Sequence, residues 1–105
     1  ASYDTYGETA SAQSALLLEA LEAMEDGEVI ALLSFEDPSQ TSAEVLAYLA
    51  SSFGAMLTKS TWKYRSSYGL IATKGDSKPY SEAYSSTGAV VSVSVSISQV
   101  TLPLA

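Results

Sequence analysis

The sequence predicts an α/β fold in which two helices pack on a small sheet, because two amphipathic helical segments alternate with short apolar runs. Along the chain, the predicted order is helix, strand, helix, strand, strand. With 105 residues, of which 47% are hydrophobic, the chain is close to the commonest domain size and can bury a core. We therefore expect one domain over residues 1–105.

The first helix is predicted over residues 11–25, since large apolar side chains recur there at helical spacing. These side chains are Leu17, Leu18, Leu21 and Met24. The Asp26-Gly27 pair is expected to end this helix. The next run, Glu28–Phe35, has little polar alternation, which is typical of a central strand covered on both faces. Strand pairing should stop by Pro38, which has no N–H group to donate.

The second helix is predicted to begin at a capping box formed by Thr41 and Glu44, and Gly54 is expected to end it. Its apolar stripe consists of Val45, Leu46, Leu49 and Phe53. The fourth element is a buried strand at Tyr68–Thr73, which the Lys-Gly-Asp turn at 74–76 ends.

The last strand is predicted in the valine–serine repeat that follows Gly88. Apolar and serine side chains alternate over residues 91–98, which is typical of a half-buried strand. The alternation changes phase near Ser98-Gln99, which a β-bulge or a change of the buried face would explain. Because no charged side chain discourages edge pairing, Val91–Ser98 is also a candidate edge through which chains assemble.

The composition excludes several classes of function. The net charge of −7 argues against a nucleic-acid partner, which requires a basic surface. The chain has no Cys and no His, which excludes disulfides, thiol and histidine catalysis, and the usual zinc sites. No apolar run is long enough to cross a membrane, so membrane insertion is not expected.

Glu36 and Asp37, at the end of the first predicted strand, are the most obvious candidates for chemistry. Adjacent strand residues point to opposite faces, so this pair is not expected to flank a glycosidic bond as acid and base. Together with Ser39 and Thr41 they offer oxygen ligands that suit Ca²⁺, but the D-x-D-x-D-G loop is missing. A strand-end turn is therefore favoured over a metal site, and we expect neither catalysis nor a cofactor.

Five motifs occur in order along the chain: YDTYG (Tyr3–Gly7), DGEVIALLSFEDPS (Asp26–Ser39), SSFG (Ser51–Gly54), YRSSYGLIATKG (Tyr64–Gly75) and SKPYSE (Ser77–Glu82). Together they resemble the interleukin-like EMT inducer and pancreatic-derived factor family. A similar module looks to be present in the stem of protein O-mannose N-acetylglucosaminyltransferase. The resemblance implies a compact β-sandwich-like mixed sheet with two flanking helices, an extracellular location (secreted or cell surface), and no enzymatic activity.

The chain departs from the family pattern in two ways. Secreted members of the family carry cysteines, and this chain has none. Members also have strands before the YDTYG-like segment, whereas this chain starts almost on it. The resemblance therefore implies a single domain that lacks the family's N-terminal strands, unless another chain or the C-terminal repeat supplies them.

The resemblance also implies that Asp37 and Arg65 contact a sugar, because they match positions that do so in a carbohydrate-binding relative. A carboxylate accepts hydrogen bonds from sugar hydroxyls, and a guanidinium donates them. Trp62, Tyr64 and Tyr68 could supply an apolar platform with polar tips. The sequence therefore predicts a lectin-like module whose partner is a glycan or glycoprotein.

Purely structural roles compete with this site. Asp37 and Arg65 could form a salt bridge that fixes two loops, and Tyr64 and Tyr68 could be core aromatics. Lys74 is expected to be solvated. Two other functions also stay open: an extracellular structural protein completed by strand addition between chains, and a cytokine-like signalling protein.

Overall fold

The computed structural model describes Tyr3 and residues 7–34, 40–56, 66–85 and 91–94. In this part of the chain the elements are α1 (Ala10–Ala23), β1 (Val29–Leu33), α2 (Ala43–Phe53), β2 (Ser67–Thr73) and β3 (Ser81–Ser85). The predicted α/β class with two helices is confirmed. All strand pairs of the described sheet are antiparallel, so this sheet is not mixed. The described strands form one sheet, and the second sheet of a sandwich is not seen among them.

The sheet has the order β1-β2-β3, so β2 is its central strand. Directly paired residues share a face, and the register Leu32↔Leu70 places these two leucines on the face that the helices cover. We call this the helix face and the opposite one the second face. The prediction that β1 is a central strand covered on both faces is wrong for the described sheet, because β1 lies at its edge and Leu33 is 66% exposed.

The core lies between the helix face and the two helices. Its buried members are Leu21, Val45, Leu46, Leu49, Phe53, Ala55, Tyr68, Leu70 and Ala72. The apolar side chains predicted to face the core from the helices all lie in or against this cluster. Burial of these side chains is the main contribution to stability, since each large apolar side chain that leaves water contributes roughly 1.5–3 kcal/mol.

The N-terminus of α2 differs from the prediction. Ser42, not Thr41, is the N-cap residue, and its Oγ accepts a hydrogen bond from the Val45 amide at 3.3 Å. The backbone N–H of Ser42 donates to Oγ of Ser14, a fully buried residue of α1, at 3.1 Å. This contact between the helices explains the one-residue shift, because it fixes Ser42 at the point where the helix begins, while Thr41 is buried.

Gly54 ends α2 as predicted, with a left-handed φ of 72°. A Cβ atom at this position would lie 2.5 Å from the carbonyl carbon of Ser77 and 2.6 Å from the backbone N of Lys78. Glycine is therefore required at position 54 for two reasons: the left-handed backbone conformation and the close approach of the loop between β2 and β3.

β3 was not expected from the sequence, which predicts no strand between the turn at 74–76 and Gly88. Of the predicted valine–serine strand, the structure describes residues 91–94, and their burial alternates as predicted, with both valines half-buried and both serines exposed. These four residues do not pair in the sheet. Among the described helices, none combines the length and apolar character needed to span a membrane.

Candidate functional site

The candidate site lies at the end of the sheet where β1 stops and β2 begins, which we call the Ser34 end. The backbone N–H of Ser34 donates to the carbonyl oxygen of Tyr68, and the N–H of Tyr68 donates to Ser34 Oγ, both at 2.9 Å. The Ser34 side chain thus accepts a hydrogen bond from a backbone N–H that lies beyond the last residue pair of the two strands, Leu33↔Gly69. As a result, the chain leaves β1 and enters β2 from neighbouring points.

Four of the five predicted ligand residues, Asp37, Trp62, Tyr64 and Arg65, lie outside the described residues. Their ligand-binding role stays a prediction. The fifth, Tyr68, lies in the core and is 2% exposed. Its ring packs among the apolar side chains of the core, the structural role that the sequence had left as an alternative.

A partly buried polar cluster surrounds the Tyr68 hydroxyl. This hydroxyl donates to Glu82 Oε2 at 2.7 Å, and the Met56 backbone N–H donates to both Glu82 carboxylate oxygens at 2.9 and 3.2 Å. Burial first, and then the hydrogen bond and negative charge of Glu82, raise the pKa of Tyr68 far above its usual range. The phenol therefore stays protonated and acts as a hydrogen-bond donor to the carboxylate.

We call Met56, Tyr68 and Glu82 the Glu82 clamp. The clamp ties together the two sides of segment 57–65, because Met56 directly precedes this segment and Tyr68 follows it by three residues. Three of the predicted ligand residues belong to this segment. The sequence did not reveal the clamp, since nothing in the spacing of Glu82 distinguishes it from a solvated glutamate.

Two further hydroxyls, on residues close in register or sequence to Tyr68, are also buried. Ser66 is 1% exposed, and its Oγ has no hydrogen-bond partner among the described residues; the same holds for the buried hydroxyl oxygen of Tyr84. Tyr84 is paired directly with Tyr68, and Ser66 directly precedes β2. Both oxygens are shielded from solvent, so a ligand at the surface of this conformation does not reach them.

Lys74 is buried, so the expectation that it is solvated is wrong. It is 8% exposed, and its Nζ donates to the carbonyl oxygens of Leu21, Glu22 and Met24 at 2.9, 3.1 and 2.6 Å. The ammonium also lies 5.3 Å from the centre of the Tyr48 ring. Carbonyl oxygens at a helix C-terminus attract cations. The sequence feature that could have indicated this contact is the position of Lys74 directly after a buried strand.

Metal binding has no support among the described residues, which contain no group of three or more Asp, Glu, His or Cys side chains that could hold an ion. The carboxylates of the calcium alternative, Glu36 and Asp37, lie outside the described ranges. Thr41, a further member of that alternative, is buried at 3% exposure.

A family model described as interleukin-like EMT inducer matches residues 1–76, which is more than half of the chain. The chain belongs to the interleukin-like EMT inducer family. The matched region contains both helices, β1 and β2, and thus both sides of the Ser34 end. The resemblance predicted from the motifs is confirmed, and the family is one of secreted, cytokine-like factors. Comparison with curated proteins and with solved structures gave no significant match.

Proposed function

We propose that this chain is a secreted, cytokine-like binding module without catalytic activity, and that it recognises a glycan or glycoprotein at the Ser34 end of the sheet. In this proposal, Asp37 and Arg65 make the polar contacts with the sugar. Trp62 and Tyr64 supply the apolar platform, and Tyr68 supports the site from the core.

The pair of hydrogen bonds between Ser34 and Tyr68 carries the proposal, because it holds the two chain ends together. Asp37 follows Ser34 by three residues, and Arg65 precedes Tyr68 by three residues. An extended chain spans at most about 3.6 Å per residue, so the Cα atoms of Asp37 and Arg65 each lie within about 11 Å of the hydrogen-bonded residue on their own side, Ser34 or Tyr68. These limits are compatible with one sugar contacting both residues.

The chemistry of the Ser34 end also supports a polar ligand. The Glu82 clamp anchors both sides of segment 57–65, which limits the entropy lost when that segment binds a ligand. Carboxylate, guanidinium and aromatic side chains form the usual combination for sugar hydroxyls and the apolar face of a sugar ring.

A glycan array probed with the folded protein tests the proposal. We expect a hit that Arg65→Ala abolishes and Arg65→Lys weakens, because lysine keeps the charge but loses the planar fork of donors. Lys78→Ala is the matched control, since it removes the same charge from an exposed position in the loop between β2 and β3. A blank array, or equal loss in Arg65→Ala and Lys78→Ala, would contradict a sugar site at Arg65.

A second proposal is assembly by strand addition between chains. It draws support from the described sheet, in which β1 is an edge strand with the exposed Leu33, and from the uncharged segment Val91–Ser98. Light scattering after size-exclusion chromatography distinguishes the two proposals. A mass that grows with concentration favours assembly, and a strict monomer at high concentration removes this candidate.

A further inference from the structure

The free edge of β1 lacks the features that normally keep a strand from pairing with another one. The strand, VIALL, contains no charged residue and no proline, and among the described strands it pairs only with β2. Edge strands of soluble proteins usually carry lysine, proline or a bulge, or are covered by another element. Ala31 is exposed, and Leu33 is 66% exposed. This edge is therefore available for a further strand.

The backbone hydrogen bonds at the two ends of β1 show which groups point to this edge. The N–H of Lys74 donates to the carbonyl oxygen of Glu28 at 2.8 Å. At the other end, the N–H of Ser34 donates to the carbonyl oxygen of Tyr68 at 2.9 Å. Every second residue of an antiparallel strand bonds the same neighbour, so the even-numbered residues of β1 face β2 and the odd-numbered ones face the free edge. The odd-numbered residues are Val29, Ala31 and Leu33.

We propose that this edge pairs with β1 of a second copy of the chain, in antiparallel orientation about a two-fold axis at Ala31. This dimer rests on the assembly by strand addition proposed above, and it specifies the strand, the partner and the register. Ala31 lies opposite the partner's Ala31, and Val29 lies opposite the partner's Leu33. Each of these pairs exchanges both N–H···O bonds, as outward-facing residues of an antiparallel pair do. The backbone groups at the free edge of both copies are then paired.

The sequence of β1 is complementary to itself in this register. Apolar side chains lie opposite apolar ones, and Glu28 lies opposite the partner's Ser34 rather than another charge. The Glu28 carboxylate is also engaged within its own chain, where it accepts a hydrogen bond from the Glu25 N–H at 2.7 Å. A register shifted by two residues would either place Glu28 opposite the partner's Leu32 or leave Val29 without a partner in the strand. The register centred on Ala31 is therefore favoured.

The two-fold arrangement also covers the exposed leucine. The axis is perpendicular to the sheet, so the two sheets become continuous and the helices of both copies lie on the same side. Leu33 lies on the second face, where the partner's Val29 side chain is its direct neighbour across the new strand pair. Because both copies use the same surface, the contact is closed, and this assembly ends at a dimer.

Light scattering with charge variants of Ala31 tests the pairing and its register. We expect the natural protein to show a concentration-dependent equilibrium between monomer and dimer. In Ala31→Lys two lysines face each other, so the dissociation constant should rise about tenfold or more, because like charges juxtaposed across an interface are strongly unfavourable. Mixing Ala31→Lys with Ala31→Glu should restore the dimer, since opposite charges then face each other. Ala20→Lys, at an exposed alanine of α1, is the matched control and should dimerise like the natural protein.

The outcomes separate this dimer from the other proposals. A strict monomer at high concentration would overturn both the dimer and assembly by strand addition, and would leave the glycan site untouched. A mass that grows equally in the natural protein and in Ala31→Lys would overturn only the pairing through β1. If both charge variants are folded by circular dichroism and their mixture stays monomeric, the register centred on Ala31 is wrong.

Disulfide formation provides an independent measurement, because the natural chain contains no cysteine. Directly opposed residues of an antiparallel pair have Cα atoms about 5.5 Å apart or less, which a disulfide can span. Under mild oxidation, Ala31→Cys should form a covalent dimer about tenfold or more faster than the control Ala20→Cys, because pairing raises the effective concentration of the two thiols. Equal rates for the two variants would contradict the pairing.

Discussion

Lys74 shows how a single polar side chain can join two elements of this fold. Its ammonium group has three protons, and three carbonyl oxygens at the C-terminal end of α1 accept them. Because the lysine directly follows β2, these bonds fasten α1 to the central strand of the sheet. Because the charge of Lys74 is buried, the folded state is stable only while these carbonyl oxygens accept its hydrogen bonds.

Replacing this lysine should therefore destabilise the fold. We expect Lys74→Met to lower the free energy of unfolding by about 2–3 kcal/mol, since hydrogen bonds to a charged group contribute roughly 1.5–3 kcal/mol. Lys78→Met is the control, because this exposed lysine should change stability by no more than about 0.5 kcal/mol. Urea denaturation measures both variants, and equal effects would contradict the role given to Lys74.

Tyr68 should make stability fall at alkaline pH. Burial and Glu82 raise the pKa of Tyr68 in the folded state, whereas the unfolded chain has a value near 10. The stabilisation is therefore complete below about pH 10 and is lost as the pH rises above it, by up to about 1.4 kcal/mol per pH unit. In Tyr68→Phe this part of the pH dependence should be absent. A parallel decline in both proteins above pH 10 would contradict it.

At the scale of elements, the Glu82 clamp should control access to segment 57–65. This segment contains three trypsin sites, at Lys59, Lys63 and Arg65. Glu82→Gln weakens the hydrogen bonds with the Met56 amide and the Tyr68 hydroxyl, so local opening should become about tenfold more frequent. Mass spectrometry of a limited digest should show faster cleavage at these sites, with no change in the control Glu19→Gln on the exposed side of α1.

The turn that ends α2 allows a comparison between two glycines. Gly54→Ala meets both an unfavourable φ and the backbone of Ser77, so we expect a loss of about 3 kcal/mol or more. Gly27 also has a positive φ, of 93°, but has no atom within 4 Å of an added Cβ. Gly27→Ala should therefore cost only about 1–2 kcal/mol. Thermal or chemical denaturation of the two variants gives the difference.

Elements with a strong apolar pattern were predictable from the sequence, and elements defined by tertiary partners were not. Both helices and β2 follow from residue spacing, as in the stripe of Val45, Leu49 and Phe53. The sequence of β3, SEAYS, has no apolar alternation, and its pairing depends on β2. Likewise, Ser42 replaces Thr41 as the cap because Ser14 of another helix holds it.

The same distinction applies to the candidate site. The motif pattern predicted the family, and the comparison confirmed it over residues 1–76. The polar groups that organise the Ser34 end, such as Ser34 and Glu82, are ordinary surface residue types in the sequence. Their roles arise from contacts between residues 14 or more positions apart, which spacing along a single chain does not encode.

At the scale of the whole molecule, the separation of charge bears on the partner. Ten of the twelve acidic residues lie between Asp4 and Glu44, whereas all five bases lie between Lys59 and Lys78. Asp37 and Arg65 belong to the two oppositely charged regions, and the hydrogen bonds at Ser34 bring the flanking chain together. This arrangement is equally compatible with a sugar site and with a salt bridge, so a decisive test has to separate them.

Exchanging the two charges separates them most directly. The double variant with Asp37→Arg and Arg65→Asp can still form a salt bridge, and its stability should stay within about 0.5 kcal/mol of the natural protein. A sugar site depends on the orientation of its donors and acceptors, so we predict that the exchanged protein is folded but no longer binds the glycan found on the array. Unchanged glycan affinity, measured by calorimetry on the exchanged protein, would contradict the proposed function.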